Sequence, residues 1–175
     1  MTHLRSRSGN VTHVMQGQLY ISQTPGESLT CILGSCVAAC VHDPALRIGG
    51  MNHFLLPGRD PHDTGSVRYG ARSMEALIDA LLHKGADRQR LNVWLFGGAN
   101  VLGTQTGIGA ANSAFAVDFT RAQGLTLRGS DLGGTRGRRV HFTPATGDPR
   151  VDYMQSDGID DPIAGPLGAP GVELF

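Results

Sequence analysis

Two neighbouring stretches, Leu29-Thr30-Cys31-Ile32-Leu33-Gly34-Ser35-Cys36-Val37-Ala38-Ala39-Cys40-Val41 and Arg47-Ile48-Gly49-Gly50-Met51-Asn52-His53-Phe54-Leu55-Leu56, decide how this chain folds. Each is mostly apolar and ends on turn-formers, His42-Asp43-Pro44 after the first and Pro57-Gly58 after the second. Each therefore reads as one extended strand, and the pair as a β-hairpin closed near Asp43 to Leu46. Such a hairpin carries Cys36 and His53 towards each other across neighbouring strands. A thiol beside an imidazole is the minimum equipment for acyl transfer, because the imidazole can take the thiol proton and later hand it to a leaving group. Small residues, Gly34-Ser35 before the sulfur and Ala38-Ala39 after it, leave room around it. Both residues also have an inert alternative, Cys36 as core packing and His53 as a core histidine satisfied by a polar neighbour.

Outward from this hairpin, residues 18–22 read as a short strand before Pro25-Gly26, and residues 1–12 are polar and flexible in composition. Residues 58–68 form a polar loop expected on the surface near the site. Met74, Leu77, Ile78, Leu81 and Leu82 then recur at helical spacing, with Lys84 in the last turn and Gly85 as the C′ residue. Residues 92–96 read as a buried strand ended by Gly97-Gly98. A glycine-rich connection leads to a second helix, from about Asn112 as N-cap to Gln123, with Phe115, Phe119 and Ala122 on one side. Residues 125–128 and 138–142 read as strands around Gly133-Gly134. Residues 154–175 are rich in Asp, Pro and Gly, the composition of a disordered tail. The expected organisation is one domain over residues 13–153.

The 175 residues are enough for a core that needs neither metal nor disulfides. Lys and Arg number 15 against 15 Asp and Glu, so no overall positive charge points to a nucleic-acid partner. No run reaches the ~20 apolar residues of a membrane span, and the opening residues lack a secretory signal's apolar core. The expected location is the cytoplasm. On a single extended strand Cys36 and Cys40 would lie roughly 13 Å apart, too far for a disulfide or for easy sharing of one zinc. The glycines from Gly97 to Gly109 lack the lysine of a phosphate-binding loop. Arg136, Arg138 and Arg139 read as a solvated strand edge, and His42, His62, His83 and His141 as surface or structural residues.

Taken together, these residues resemble the CheD family, the chemoreceptor glutamine deamidases of bacterial chemotaxis. The resemblance is carried by Thr-x-x-x-Gly-Ser-Cys-Val from Thr30 to Val37, Asp43-Pro44, and Gly-Gly-Met-Asn-His-Phe-x-Leu-Pro from Gly49 to Pro57. It continues through Phe96-Gly97-Gly98-Ala99, Ile108-Gly109-x-x-Asn112 and Asp131-Leu132-Gly133-Gly134-x-x-Gly137-Arg138. It implies Cys36 as nucleophile, His53 as base and Thr30 as the residue whose oxygen orients the imidazole, with no cofactor or metal. Backbone N–H groups around Gly34, Ser35 and Cys36 are candidates for an oxyanion site, and Asn52 and Asn112 for a rim meeting the substrate. The chain departs from the family at Ala111, where an arginine is common.

The fold implied is α/β of the α+β kind, a layered sandwich of two packed β layers with helices on one side, similar to the catalytic domain of cytotoxic necrotizing factor toxins. The implied substrates are glutamines on the helical cytoplasmic domain of chemoreceptors, converted to glutamate with release of ammonia, and the phosphatase CheC is the implied partner. A receptor methylesterase using the same thiolate, or a mainly non-catalytic regulator binding CheC, are the alternatives.

Overall fold

The computed structural model describes residues 10–57, 64–103 and 107–155. In chain order the elements are β1 (Val11–His13), β2 (Leu19–Ser22), β3 (Ser28–Leu33), β4 (Val37–Asp43), β5 (Ile48–Asn52), α1 (Thr64–His83), a 3-10 turn (Arg88–Arg90), β6 (Asn92–Gly97), α2 (Ile108–Ala122), β7 (Thr126–Leu132), β8 (Arg138–Thr143) and β9 (Asp148–Tyr153). They form a four-stranded sheet, β1-β3-β8-β9, and a five-stranded sheet, β2-β5-β4-β6-β7. The β1/β3 and β6/β7 pairs are parallel and the others antiparallel.

The run 37–41 is apolar at every position because the five-stranded sheet is buried on both faces. Val37, Ala39 and Val41 share one core with Met74, Leu77, Ile78 and Leu81 of α1 and with Phe115, Ala116 and Phe119 of α2. Ala38 and Cys40 point the other way. With Met51 and Phe96 they meet Leu29, Cys31 and Leu33 of β3 and Val140 and Phe142 of β8 in a seam between the sheets. The order of layers is therefore sheet, sheet, helices, the α+β sandwich with both helices on one side.

The strand expected over residues 29–41 is two strands in different sheets. β3 ends at Leu33, the chain crosses at Gly34-Ser35-Cys36, and β4 begins in the other layer. The spacing argument for the cysteines loses its premise, since Cys31 and Cys40 both line the seam; all three cysteines are free. The β4/β5 hairpin is as expected, with His42 opposite Gly49 and Asp43 opposite Ile48.

The other differences are local. Val11–His13 pairs with β3 where a flexible stretch was expected, and β9 was not anticipated at all. Helix α1 begins at Thr64, inside the expected loop, whose residues 58–63 lie outside the described residues. Its end follows the reading: Gly85 is left-handed at φ 99°, its N–H donates to Leu82, and Ala86 N–H donates to Leu81, which closes the last turn on a C′ glycine. Helix α2 starts four residues before Asn112, which is interior and fully buried rather than an N-cap. Of the expected tail, residues 156–175 lie outside the described residues.

Candidate active site

Cys36 sits where the chain passes from one sheet to the other, and the crossing is held by its carbonyls. Gly34 O accepts from Ala99 N at 2.9 Å and Cys36 O from Gly98 N at 2.8 Å, while Ser35 O accepts from Asn112 Nδ2 at 2.7 Å. The end of β6 can approach this closely only as glycine. Gly97 and Gly98 have φ of 115° and 65°, and a Cβ on Gly97 would run into Cys36 O. With the carbonyls turned towards β6 and α2, the N–H groups of Ser35 and Cys36 have no acceptor among the described residues.

The β4/β5 register continues past β5, since Val37 N donates to Phe54 O at 3.0 Å and Phe54 N to Val37 O at 2.9 Å. In this register His53 falls opposite Ala38, and Cys36 is its diagonal neighbour on the same face. Diagonal pairs lie about 7–8 Å apart at Cα and are bridged by long side chains. Val37 and Phe54 point into the helix-side core, so alternation turns Cys36 and His53 towards the seam.

His53 is 6 % exposed and is held from three directions by residues 14–18. Its Nδ1 donates to Val14 O at 2.9 Å, its backbone N donates to Gln18 O at 3.1 Å and its carbonyl accepts from Gly17 N at 2.8 Å. A carbonyl accepts only, so the neutral ring carries its proton on Nδ1 and leaves Nε2 as a lone pair. Among the described residues, that Nε2 is buried without a partner. Burial holds the imidazole below its ordinary pKa, opposed in part by the bond to Val14. The Cys36 thiol is half-buried and donates to Gln16 Oε1 at 3.5 Å. Burial pushes it up to about 12, against the opposing pull of its own backbone N–H. Burial therefore disfavours the charged form of both the thiol and the imidazole.

The remaining predicted residues are placed differently from expectation. The Thr30 hydroxyl donates to Val140 O at 2.8 Å rather than to the imidazole. It is the Thr30 carbonyl that reaches the site, accepting from Val14 N at 2.8 Å behind the carbonyl that orients His53. Asn52 and Asn112 form no rim. Asn52 is 2 % exposed, accepts from Ala39 N at 2.8 Å and donates to Ser73 O at 3.2 Å, tying the hairpin to α1. Asn112 is fully buried and also accepts from Leu56 N at 2.9 Å, so it clamps the Cys36 crossing to the segment after His53. Each carboxamide serves backbone groups that no strand partner satisfies. Gln16 and Val14 were missed: they stand in a polar, glycine-containing turn with no motif to mark them. Among the described residues no group of three His, Cys, Asp or Glu could hold a metal ion, and no helix is long and apolar enough to cross a membrane.

Fold and candidate site together are a two-sheet α+β sandwich carrying Cys36 and His53 on one seam. The family described as CheD chemotactic sensory transduction matches residues 55–153. The chain is 43% identical over 160 residues to a protein of Caulobacter vibrioides, with 90% of this chain and 86% of the relative covered. It is 44% identical over 150 residues to one of Cereibacter sphaeroides (86% and 75% covered), and 46% identical over 141 residues to one of Rhizobium leguminosarum bv. trifolii (79% and 77% covered). Each bears the name "Probable chemoreceptor glutamine deamidase CheD". The chain belongs to the CheD family. Among solved structures it is similar to Neisseria meningitidis protein NMB0706, of family DUF152, at a TM-score of 0.47 and 10% identity, over 74% of this chain and 64% of that one.

Proposed function

We propose that this protein is a glutamine deamidase of chemoreceptors, with Cys36 as nucleophile and His53 as base. The observation that carries the assignment of roles is the buried, partnerless Nε2 of His53, whose opposite nitrogen is pinned to Val14 O, on the same seam face as the Cys36 thiol. A buried lone pair left unsatisfied is costly in a structural histidine and useful in a base awaiting a proton. The activity follows from the family and from the names its relatives carry.

In the reaction, Nε2 takes the Cys36 proton and the thiolate sulfur adds to Cδ of a receptor glutamine, which sends an electron pair onto Oε1. The Ser35 and Cys36 N–H groups receive that oxyanion, a contact worth roughly 3–4 kcal/mol per donor. The tetrahedral centre collapses, the C–N bond breaks, and the imidazolium gives its proton to the departing ammonia. Water, deprotonated by the same nitrogen, then adds to the thioester, and the C–S bond breaks to leave glutamate and the thiol. Thr30 acts one residue removed, its carbonyl fixing Val14 and Val14 fixing the ring. CheC is part of the same proposal as a partner, carried by the resemblance and checked by pull-down with CheC from the same organism.

Incubating the receptor's cytoplasmic fragment with this protein and with Cys36→Ala tests the reading by peptide mass spectrometry. A gain of about 1 Da at defined glutamines, absent with the variant, is the expected result. Unmodified glutamines with both proteins would refute it.

A further inference from the structure

The thiol proposed as nucleophile is engaged by a carboxamide of the chain itself. Gln16 Oε1 lies 3.5 Å from Cys36 Sγ and accepts its proton. The same functional group is what a glutamine deamidase brings to its sulfur. The site therefore shows two linked facts: a glutamine side chain on the nucleophile, and the base beside it with its acceptor nitrogen unpartnered. The proton that would join thiol to imidazole is pointed at Gln16 instead.

The turn carrying Gln16 makes this contact a built one. Gln18 N donates to Met15 O at 2.9 Å, and Gly17, at φ 87°, supplies the left-handed third position of a four-residue turn with Gln16 second. Met15 N donates to Gln18 Oε1 at 3.0 Å and braces the turn from inside. Gly17 N and Gln18 O fasten the turn to the backbone of His53, and Val14 O to its ring. One short segment thus orients the base and delivers Gln16 to the nucleophile. Because its backbone is fastened, the part free to leave is the half-buried Gln16 side chain, and a rotamer change is enough to move it while His53 stays in place.

We propose that the Gln16 carboxamide occupies the seat of the substrate's glutamine carboxamide and keeps the Cys36 thiol uncoupled from His53 until an incoming glutamine displaces it. The inference rests on the assignment of Cys36 and His53 made above. An arriving receptor glutamine exchanges one carboxamide for another, and as Gln16 withdraws the thiol proton turns to Nε2. Attack is then enabled only when a carboxamide is at hand to receive it, which spares an exposed thiolate from oxidants.

The test combines carbamidomethylation of Cys36 by iodoacetamide with receptor deamidation kinetics for the full chain, Gln16→Ala and Gln16→Met. In Gln16→Ala, Cys36 labelling at pH 7 is expected to rise about tenfold, as for a thiol whose ionisation has become easier by one pKa unit. The acceleration should vanish in Gln16→Ala/His53→Ala. Deamidation should show a KM several-fold lower with kcat unchanged, because only occupancy of the seat has altered. Gln16→Met keeps the bulk without the carboxamide and should also label faster, which separates hydrogen bonding from simple cover. Unreactive Cys31 and Cys40 report that each variant is folded. Unchanged labelling, or a lower kcat at unchanged KM, would overturn the cap while leaving the deamidase standing. Faster labelling with no receptor turnover by any variant would overturn the deamidase and not the cap on the thiol.

Discussion

The two ends of β4 solve the same problem in opposite ways. At its C-terminal end the carboxylate of Asp43, fully buried, is saturated: it accepts from Ala45 N at 2.9 Å, Asp87 N at 2.9 Å, and Arg90 Nε and Nη2 at 3.0 and 2.9 Å. Burial alone would raise its pKa, but the Arg90 guanidinium and the two backbone donors outweigh it and hold the group at about 2. At the N-terminal end, half-buried Cys36 and buried His53 have less help, and among the described residues one imidazole nitrogen has no partner. Polar groups at opposite ends of the seven-residue β4 are thus finished at one end and unfinished at the other. The finished end holds the hairpin against the 3-10 turn. The unfinished end is where chemistry is to be sought, since an unsatisfied buried group costs stability that folding alone does not explain.

The largest effect should come from the unfinished end. Cys36→Ala is expected to abolish receptor deamidation, by at least about 1,000-fold in kcat, with thermal stability altered by no more than about 1 kcal/mol; urea titration alongside the mass assay checks both halves. Asp43→Ala should do the reverse, costing about 2–4 kcal/mol by urea unfolding, since it strands two backbone donors and a guanidinium. In the wild type this contribution carries a pH signature. Asp43 titrates lower folded than unfolded, so its stabilisation is complete above about pH 4 and is lost as pH falls towards about 2. A flatter acid limb in Asp43→Asn would show it. Asn112→Ala lies between the two ends, losing the clamp on Ser35 O and Leu56 N. It should cost about 2 kcal/mol and lower kcat roughly tenfold or more as the crossing loosens. The smallest effect is expected from Thr30→Val. Removal of a hydroxyl that donates to Val140 O should cost about 1 kcal/mol and leave kcat within about threefold; a loss of 100-fold would return the hydroxyl itself to the catalytic machinery.

The same contrast marks what could be read from the residues. Helix α1 and its glycine stop were legible because a 3.6-residue period and a C′ glycine are local signals, and the hairpin because Asp43-Pro44 closes it. The crossing at Gly34-Ser35-Cys36 was not. A strand buried on both faces and two strands in successive layers are equally apolar from end to end, and only the carbonyl partners on β6 and α2, distant in sequence, reveal the break. β1 and β9 escaped because edge strands are polar, exposed and, at Pro149, tolerant of a residue that cannot donate. At the site, residue type pointed to Cys36 and His53, whose chemistry is uncommon. It misplaced Asn52 and Asn112, whose carboxamides suit a wet rim as well as a dry backbone clamp. Val14 contributes through a carbonyl, which every residue has.

The seam between the sheets holds three thiols at different depths, Cys31 and Cys40 sealed within it and Cys36 at its mouth. They amount to a built-in pair of clocks. A labelling reagent reaches the mouth through local breathing and the sealed pair only when the two layers separate. The ratio of the two rates in one tube, with no variant and no external reference, measures how far motion of the site is insulated from unfolding of the sandwich around it.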